Sequence, residues 1–203
     1  MIYPPLPLDR DLRGYHGAEP NIRWPNGAQL AVSIVVNIEE GAELSIAAGD
    51  ASNEFIYEAV ERVEGSRDLC MESHYAYGTR RGWARIRSAL KRSGVTATLN
   101  ACGRSLYHSP WIASEAAADG HEISSHGWRW ERQVNMPEAE ERQVIARAVA
   151  AITTAAGTPP VGWHTRSATS VNTRRLLLEH GGFLYDSNAY DDDTPYMVSE
   201  AGR

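Results

Sequence analysis

The chain has 203 residues, 42% of them hydrophobic, with 20 basic and 26 acidic side chains and a formal net charge of -6. That is enough for one domain with a real core, and the acidic balance argues against a nucleic-acid partner. No apolar run approaches membrane-spanning length, and Met1–Asp9 (MIYPPLPLD) lacks the basic and apolar blocks of a secretory leader, so a cytoplasmic protein with no membrane association is expected.

Residues 1–28 are rich in Pro, Gly and charge and read as an extended arm, with a turn at Trp24-Pro25-Asn26-Gly27. Residues 29–203 then read as one α/β domain. Ala28–Val36 (AQLAVSIVV) is a near-continuous apolar run, which suits a strand buried on both faces of a parallel sheet. Gly41–Glu54 is a polar loop. Arg81–Arg92 places Trp83, Ile86 and Leu90 at helical spacing, with Gly94 as its stop. Val95–Leu99 is a second strand, and Ser109-Pro110 opens a helix over Trp111–Asp119. His121–Ser124 is a third strand. A long Ala- and Glu-rich helix over Pro137–Ala156 breaks at Gly157. Val161–His164 is a short strand, Asn172–His180 a helix, and Phe183–Tyr185 a strand ending on Asp186. Pro195–Val198 adds a further strand signal before Arg203. Strand–helix alternation predicts parallel pairing. About six strands are too few to close an eight-strand α/β barrel, so a barrel incomplete within this chain is expected. Cys70 and Cys102 read as buried free thiols.

Chemistry is expected where strands end. Glu39 and Glu40 follow the first strand. Neighbouring strand residues face opposite ways, so one of the two would face a pocket, whereas in a loop both could. Either could act as a base toward water, or both could be solvated. His126, at the exit of the third strand, is a structural imidazole or a participant in the reaction. Trp128 and Trp130 are pocket walls or core. Trp163, His164 and Arg166 close a later strand. The Arg166 fork could hold a carbonyl, ureide or carboxylate, or could form an ion pair. Glu72, in the polar-aromatic stretch Met71–Gly78, could belong to a rim. Asp186 could contact substrate or cap a helix. A zinc site wants three or four His, Cys, Asp or Glu ligands. The residue four after His126 is Trp130, which cannot ligate, so no metal cofactor is expected. A divalent metal such as zinc remains the minority alternative.

These residues resemble the polysaccharide deacetylase superfamily, and within it the branch of bacterial allantoinases and cyclic-imide hydrolases. The resemblance runs from Arg10-Asp11-Leu12-Arg13-Gly14-Tyr15 and Arg23-Trp24-Pro25-Asn26-Gly27-Ala28 through Val36-Asn37-Ile38-Glu39-Glu40-Gly41. It continues through Met71-Glu72-Ser73, Glu122–Trp130 and Met136–Arg142 to Asn172–Leu176, Gly181–Asp186 and Asp193-Thr194-Pro195-Tyr196. It implies a distorted (β/α) barrel. In metal-dependent members the first motif offers two Asp, a catalytic base and then a metal ligand, and two His four residues apart complete the metal site; here Glu39, Glu40, His126 and Trp130 stand in those places. The branch with this erosion is regarded as acting without a metal on cyclic ureides or imides. The resemblance also implies a homo-oligomer, with the arm as a plausible contact, and a late His beyond Arg203, carried by a complementary C-terminal segment. Two departures stand out. The branch usually has Tyr-Thr-Gly-Arg where this chain has His164-Thr165-Arg166-Ser167, and His74 replaces an apolar or different residue.

The function expected is an amidohydrolase acting on a non-peptide carbon–nitrogen bond. The favoured substrate is a small cyclic amide, opened by Glu39 or Glu40 with His126. Glu72, Trp128, Trp130, Trp163, His164, Arg166 and Asp186 would bind the substrate. The alternatives are a metal-dependent deacetylase of an N-acetyl sugar and a non-catalytic half-barrel that binds or assembles.

Overall fold

A computed structural model describes residues 11–56 and 61–200; the first ten residues of the expected arm, and Arg203, lie outside the described residues. The chain divides into two compact units, residues 1–33 and 34–203. In the first, the described residues are largely exposed, and the expected turn is a 3-10 turn over Pro25–Gly27.

The second unit holds a five-stranded sheet in the order β1-β2-β3-β4-β5, parallel throughout. The strands are β1 (Val35–Ile38), β2 (Thr98–Ala101), β3 (Glu122–Ser125), β4 (Gly162–Trp163) and β5 (Tyr185–Asp186). The helices are α1 (Leu69–Tyr77), α2 (Trp83–Ser93), α3 (Gly103–His108), α4 (Pro110–Ala118), α5 (Glu138–Ala156) and α6 (Thr173–His180). Strand–helix alternation in a parallel sheet is the α/β architecture expected from the pattern.

Several boundaries differ from expectation. The first strand is Val35–Ile38 rather than Ala28–Val36, because pairing with β2 begins at Val35↔Thr98. Leu30 and Val32, apolar in the sequence, are 74% and 77% exposed. No strand forms at Pro195–Val198 among the described residues. Helices α1 and α3 were not expected. Asp68 caps α1 by accepting a hydrogen bond from Met71 N at 2.9 Å. A π turn over Gly78–Gly82 joins α1 to α2. Cys102 is buried as expected, but Cys70, in the first turn of α1, is exposed; both are free thiols.

The core forms because the middle strands are buried on both faces. Leu99 and Ala101 on β2 are fully buried, and pack with Ile38, Trp83, Leu106, Ile112, Ala116, Ile123 and Ile152. A second cluster joins Trp163 to Ile145 and Ala148 of α5 and to Leu176 and Leu177 of α6. Burying a side chain of this size contributes roughly 1.5–3 kcal/mol. Helices α3 and α5 approach closely at Gly103, where an added Cβ would lie 2.8 Å from Ala148 Cα. The obstacle is backbone, so the helices would have to part.

Gly103→Ala should therefore lower the unfolding free energy by about 1–3 kcal/mol. Urea titration of the two proteins checks this, and an unchanged midpoint would contradict the close helix approach.

Candidate active site

Parallel strands deliver their carboxyl ends to one edge of the sheet, and here the ladder carries on past each strand. Cys102 N donates to Ile38 O at 3.0 Å and His126 N to Ala101 O at 2.9 Å. His164 N donates to Ser125 O at 2.8 Å and Ser187 N to Trp163 O at 2.9 Å. The residues just beyond β1 to β5 are thereby held in a row.

Glu39 and His126 meet in that row. Glu39 Oε1 lies 3.2 Å from His126 Nε2, with the His side chain 3% and the Glu side chain 19% exposed. His126 Nδ1 lies 2.6 Å from the carbonyl oxygen of His164. A carbonyl oxygen only accepts, so Nδ1 carries the hydrogen and donates it. Nε2 is then the nitrogen free to take or give a proton, and it faces Glu39. His164 stacks on His126, ring centroids 5.3 Å apart at 15°. Its own Nδ1 lies 3.0 Å from both Ser187 O and Ser187 Oγ. Burial lowers the His164 pKa, and His126 beside it adds to this.

Glu40 turns elsewhere. Its side chain fills the space over Gly78 in the π turn, where a Cβ would collide with it, and its Oε2 accepts from Glu39 N at 3.2 Å. Burial raises its pKa above the ordinary 4.5, with the neighbouring Glu39 and Glu43 adding to the shift. The turn after β1, closed by Ala42 N to Glu39 O at 2.9 Å, separates the two carboxylates.

Arg166 is engaged with protein. It forms a two-pronged pair with Glu54 at 3.0 and 3.2 Å and donates to Trp130 O at 2.5 Å. Its guanidinium carbon lies 3.5 Å above the Trp130 ring. Trp130 in turn meets Tyr75 edge-on at 6.5 Å. The Tyr75 hydroxyl is buried without a hydrogen-bond partner, and burial, then Glu54, raise its pKa.

The remaining expected binding residues scatter. Trp163 is fully buried and belongs to the core under α5 and α6, because it points to the opposite face of β4 from His164. Its Nε1 donates to Thr165 Oγ1 at 2.9 Å. Trp128 lies under Arg147 of α5, in a separate cleft. Glu72 is held by Arg67 on α1. Asp186 accepts from Arg174 and from Asn188, whose side-chain oxygen receives Thr165 N at 2.8 Å. The sequence offered no signal for Glu54 or Ser187, and Tyr75 only as part of the polar-aromatic stretch Met71–Gly78. Glu54 is 112 residues from Arg166, and only folding joins them.

Among the described residues no three His, Cys, Asp or Glu side chains come together as ligands. Trp130 offers no donor atom in its ring and is covered by Arg166.

Two outcomes follow from the charges. Arg166→Ala would leave Glu54, 7% exposed, without its cation. It should cost about 3–5 kcal/mol in urea unfolding, whereas the double replacement Glu54→Gln, Arg166→Met should cost far less. A loss below about 0.5 kcal/mol in Arg166→Ala would contradict the pairing. Glu40 has a folded pKa above its unfolded one, so its contribution is full below pH 4.5 and is lost as pH rises through the raised value. The unfolding free energy of the parent should therefore fall relative to Glu40→Gln over that interval, and parallel pH profiles would contradict the burial.

Residues 70–183 match the model of the polysaccharide deacetylase family. A polysaccharide deacetylase homologue of Schizosaccharomyces pombe is 34% identical over 94% of this chain and 63% of its own length. The crystal structure of PuuE allantoinase superposes with a TM-score of 0.86 at 41% identity, covering 94% of this chain and 64% of that one. That of a polysaccharide deacetylase homologue from Pseudomonas aeruginosa PAO1 gives 0.85 at 43%, covering 93% and 63%. The chain thus spans less than two thirds of these relatives, and its parallel sheet matches part of their (β/α) barrel. With more than half its length under the family model, the chain belongs to the polysaccharide deacetylase family.

Proposed function

We propose that the protein to which this chain belongs hydrolyses a non-peptide carbon–nitrogen bond by opening a small cyclic amide, without a metal. The observation that carries this is the Glu39–His126 pair, 3.2 Å apart, with His126 pinned through Nδ1. The likeness to an allantoinase structure at 41% identity supports a cyclic ureide or imide as substrate.

Glu39 is partly exposed, so water can reach it. As a base it takes a proton from water while the water oxygen adds to the ring carbonyl carbon. Negative charge moves onto the carbonyl oxygen, where a protonated His126 Nε2 would stabilise it. When the tetrahedral adduct collapses, the carbon–nitrogen bond breaks. The ring nitrogen receives the proton that Glu39 took from water, and the carbonyl carbon becomes the carboxyl group of the opened chain. One water is consumed. The orientation of His126 is held by the His164 carbonyl, so the imidazole need not reorganise as charge develops.

The direct test is hydrolysis of allantoin, hydantoin, succinimide and an N-acetylglucosamine oligomer by the full-length protein, with and without a strong chelator. Chelator-resistant ring opening is expected, falling about 10²–10⁴-fold in Glu39→Gln. Chelator-sensitive release of acetate would overturn this reading and favour a metal-dependent deacetylase.

A further inference from the structure

Among the clefts that lie outside the Glu39–His126 pair, one is rich in arginine. It has a volume of about 450 Å³ and is lined by Ala48, Arg104 of α3, Trp128 to Glu131 in part, and Glu140 to Arg147 of α5 in part. Neither Glu39, His126 nor His164 lines it. Its floor is Trp128, with the Arg147 guanidinium carbon 4.1 Å above the ring centroid.

Its charges are unevenly matched. Arg129 is satisfied by Asp50 at 2.6 and 2.7 Å, and this pairing holds the Asp50 pKa down at about 2. Among the described residues, Arg104 and Arg147 have no ion pair. Glu131 Oε1 is buried and has no hydrogen-bond partner. A buried carboxylate oxygen left unpaired costs free energy, and native proteins keep such groups where something completes them. Burial raises the Glu131 pKa, against the opposing pull of the Arg129 backbone N–H and of the Arg129 and Arg147 charges.

The cleft therefore offers two guanidinium forks without an ion pair, with the Glu131 carboxylate in its wall, over an aromatic floor. Guanidinium forks match carboxylates, with two parallel N–H donors each. A carboxylate oxygen in need of a partner matches an N–H. We propose that this cleft is a second ligand site for a small carboxylate that also carries an N–H donor. Its carboxylate sits on Arg104 and Arg147 and its N–H on Glu131. With Arg129 already neutralised by Asp50, the cleft balances two free cations against Glu131 and Glu140. That balance suits a molecule carrying both a negative end and a hydrogen-bond donor better than a polyanion.

Isothermal titration calorimetry with N-carbamoylglycine tests this, with acetate as the probe lacking the N–H. The parent protein should bind N-carbamoylglycine saturably at millimolar concentration or below, and more tightly than acetate. The double variant Arg104→Ala, Arg147→Ala should weaken binding about tenfold or more, as expected for lost charge-assisted bonds. Arg147→Ala alone, at an exposed helix position, should shift binding the same way with the near-UV circular dichroism unchanged. Glu131→Gln should narrow the preference over acetate. Absence of saturable binding, or binding unchanged by the arginine replacements, overturns the site. Equal affinity for acetate and N-carbamoylglycine overturns the role of Glu131.

Discussion

The bond from His126 Nδ1 to the carbonyl of His164 is the constraint from which the site is built. It ties the exit of β3 to the exit of β4, and it decides the chemistry of the imidazole. With one nitrogen committed to a backbone oxygen, the other is left to face Glu39. The same device is repeated one strand further on, where His164 points Nδ1 at Ser187. Each imidazole is thus held by the next strand's exit, and the two rings stack as a consequence. Backbone in a parallel sheet cannot shift by a fraction of a residue, so the imidazoles inherit the rigidity of the sheet.

Around that row, a second layer fixes the loops. Arg166 joins Glu54, Trp130 and the segment after β4 in one buried pair. Arg129 joins Asp50 and the carbonyls of Ala42 and Glu43, so the segment after β1 is tied to the segment after β3. These arginines hold the segments after the strands in place. Their charge is spent on carboxylates and carbonyls of the protein, leaving little for a substrate. Trp130, where metal-dependent relatives are expected to carry a ligand, has become the plate on which Arg166 rests.

Much of the fold was legible in the sequence, and the reasons the rest was not are physical. Helix α2 follows from its periodic apolar residues and stop, α4 from its opening at Ser109-Pro110 and α5 from its opening at Pro137 and break at Gly157, and Gly94 indeed closes α2 in the left-handed conformation at φ 63°. Strand ends were harder. Apolar character alone extended the first strand back to Ala28, whereas its pairing partner β2 begins at Thr98 and sets where it starts. Helix α1 carried little periodic pattern, and its one signal was the cap at Asp68. In the site, Glu39, Glu40 and His126 were visible as strand-end residues. Their assignment was not, because a single turn after Ile38 sends Glu39 to His126 and Glu40 to Gly78. Trp163 went to the core and Trp128 to a separate cleft for the same reason: proximity in sequence to a His says nothing about which face a side chain takes. Glu54 and Tyr75 could not be found from spacing, since their neighbours come from distant segments.

The most direct test of this account is the protonation pattern of His126, read by long-range proton–nitrogen correlation in an isotope-labelled sample. The account predicts that Nδ1 carries a proton in the resting protein and that Nε2 is the nitrogen whose signal responds to Glu39→Gln. A neutral imidazole protonated at Nε2, with Nδ1 bare, would contradict the bond to His164 and with it the assignment of Nε2 as the working atom.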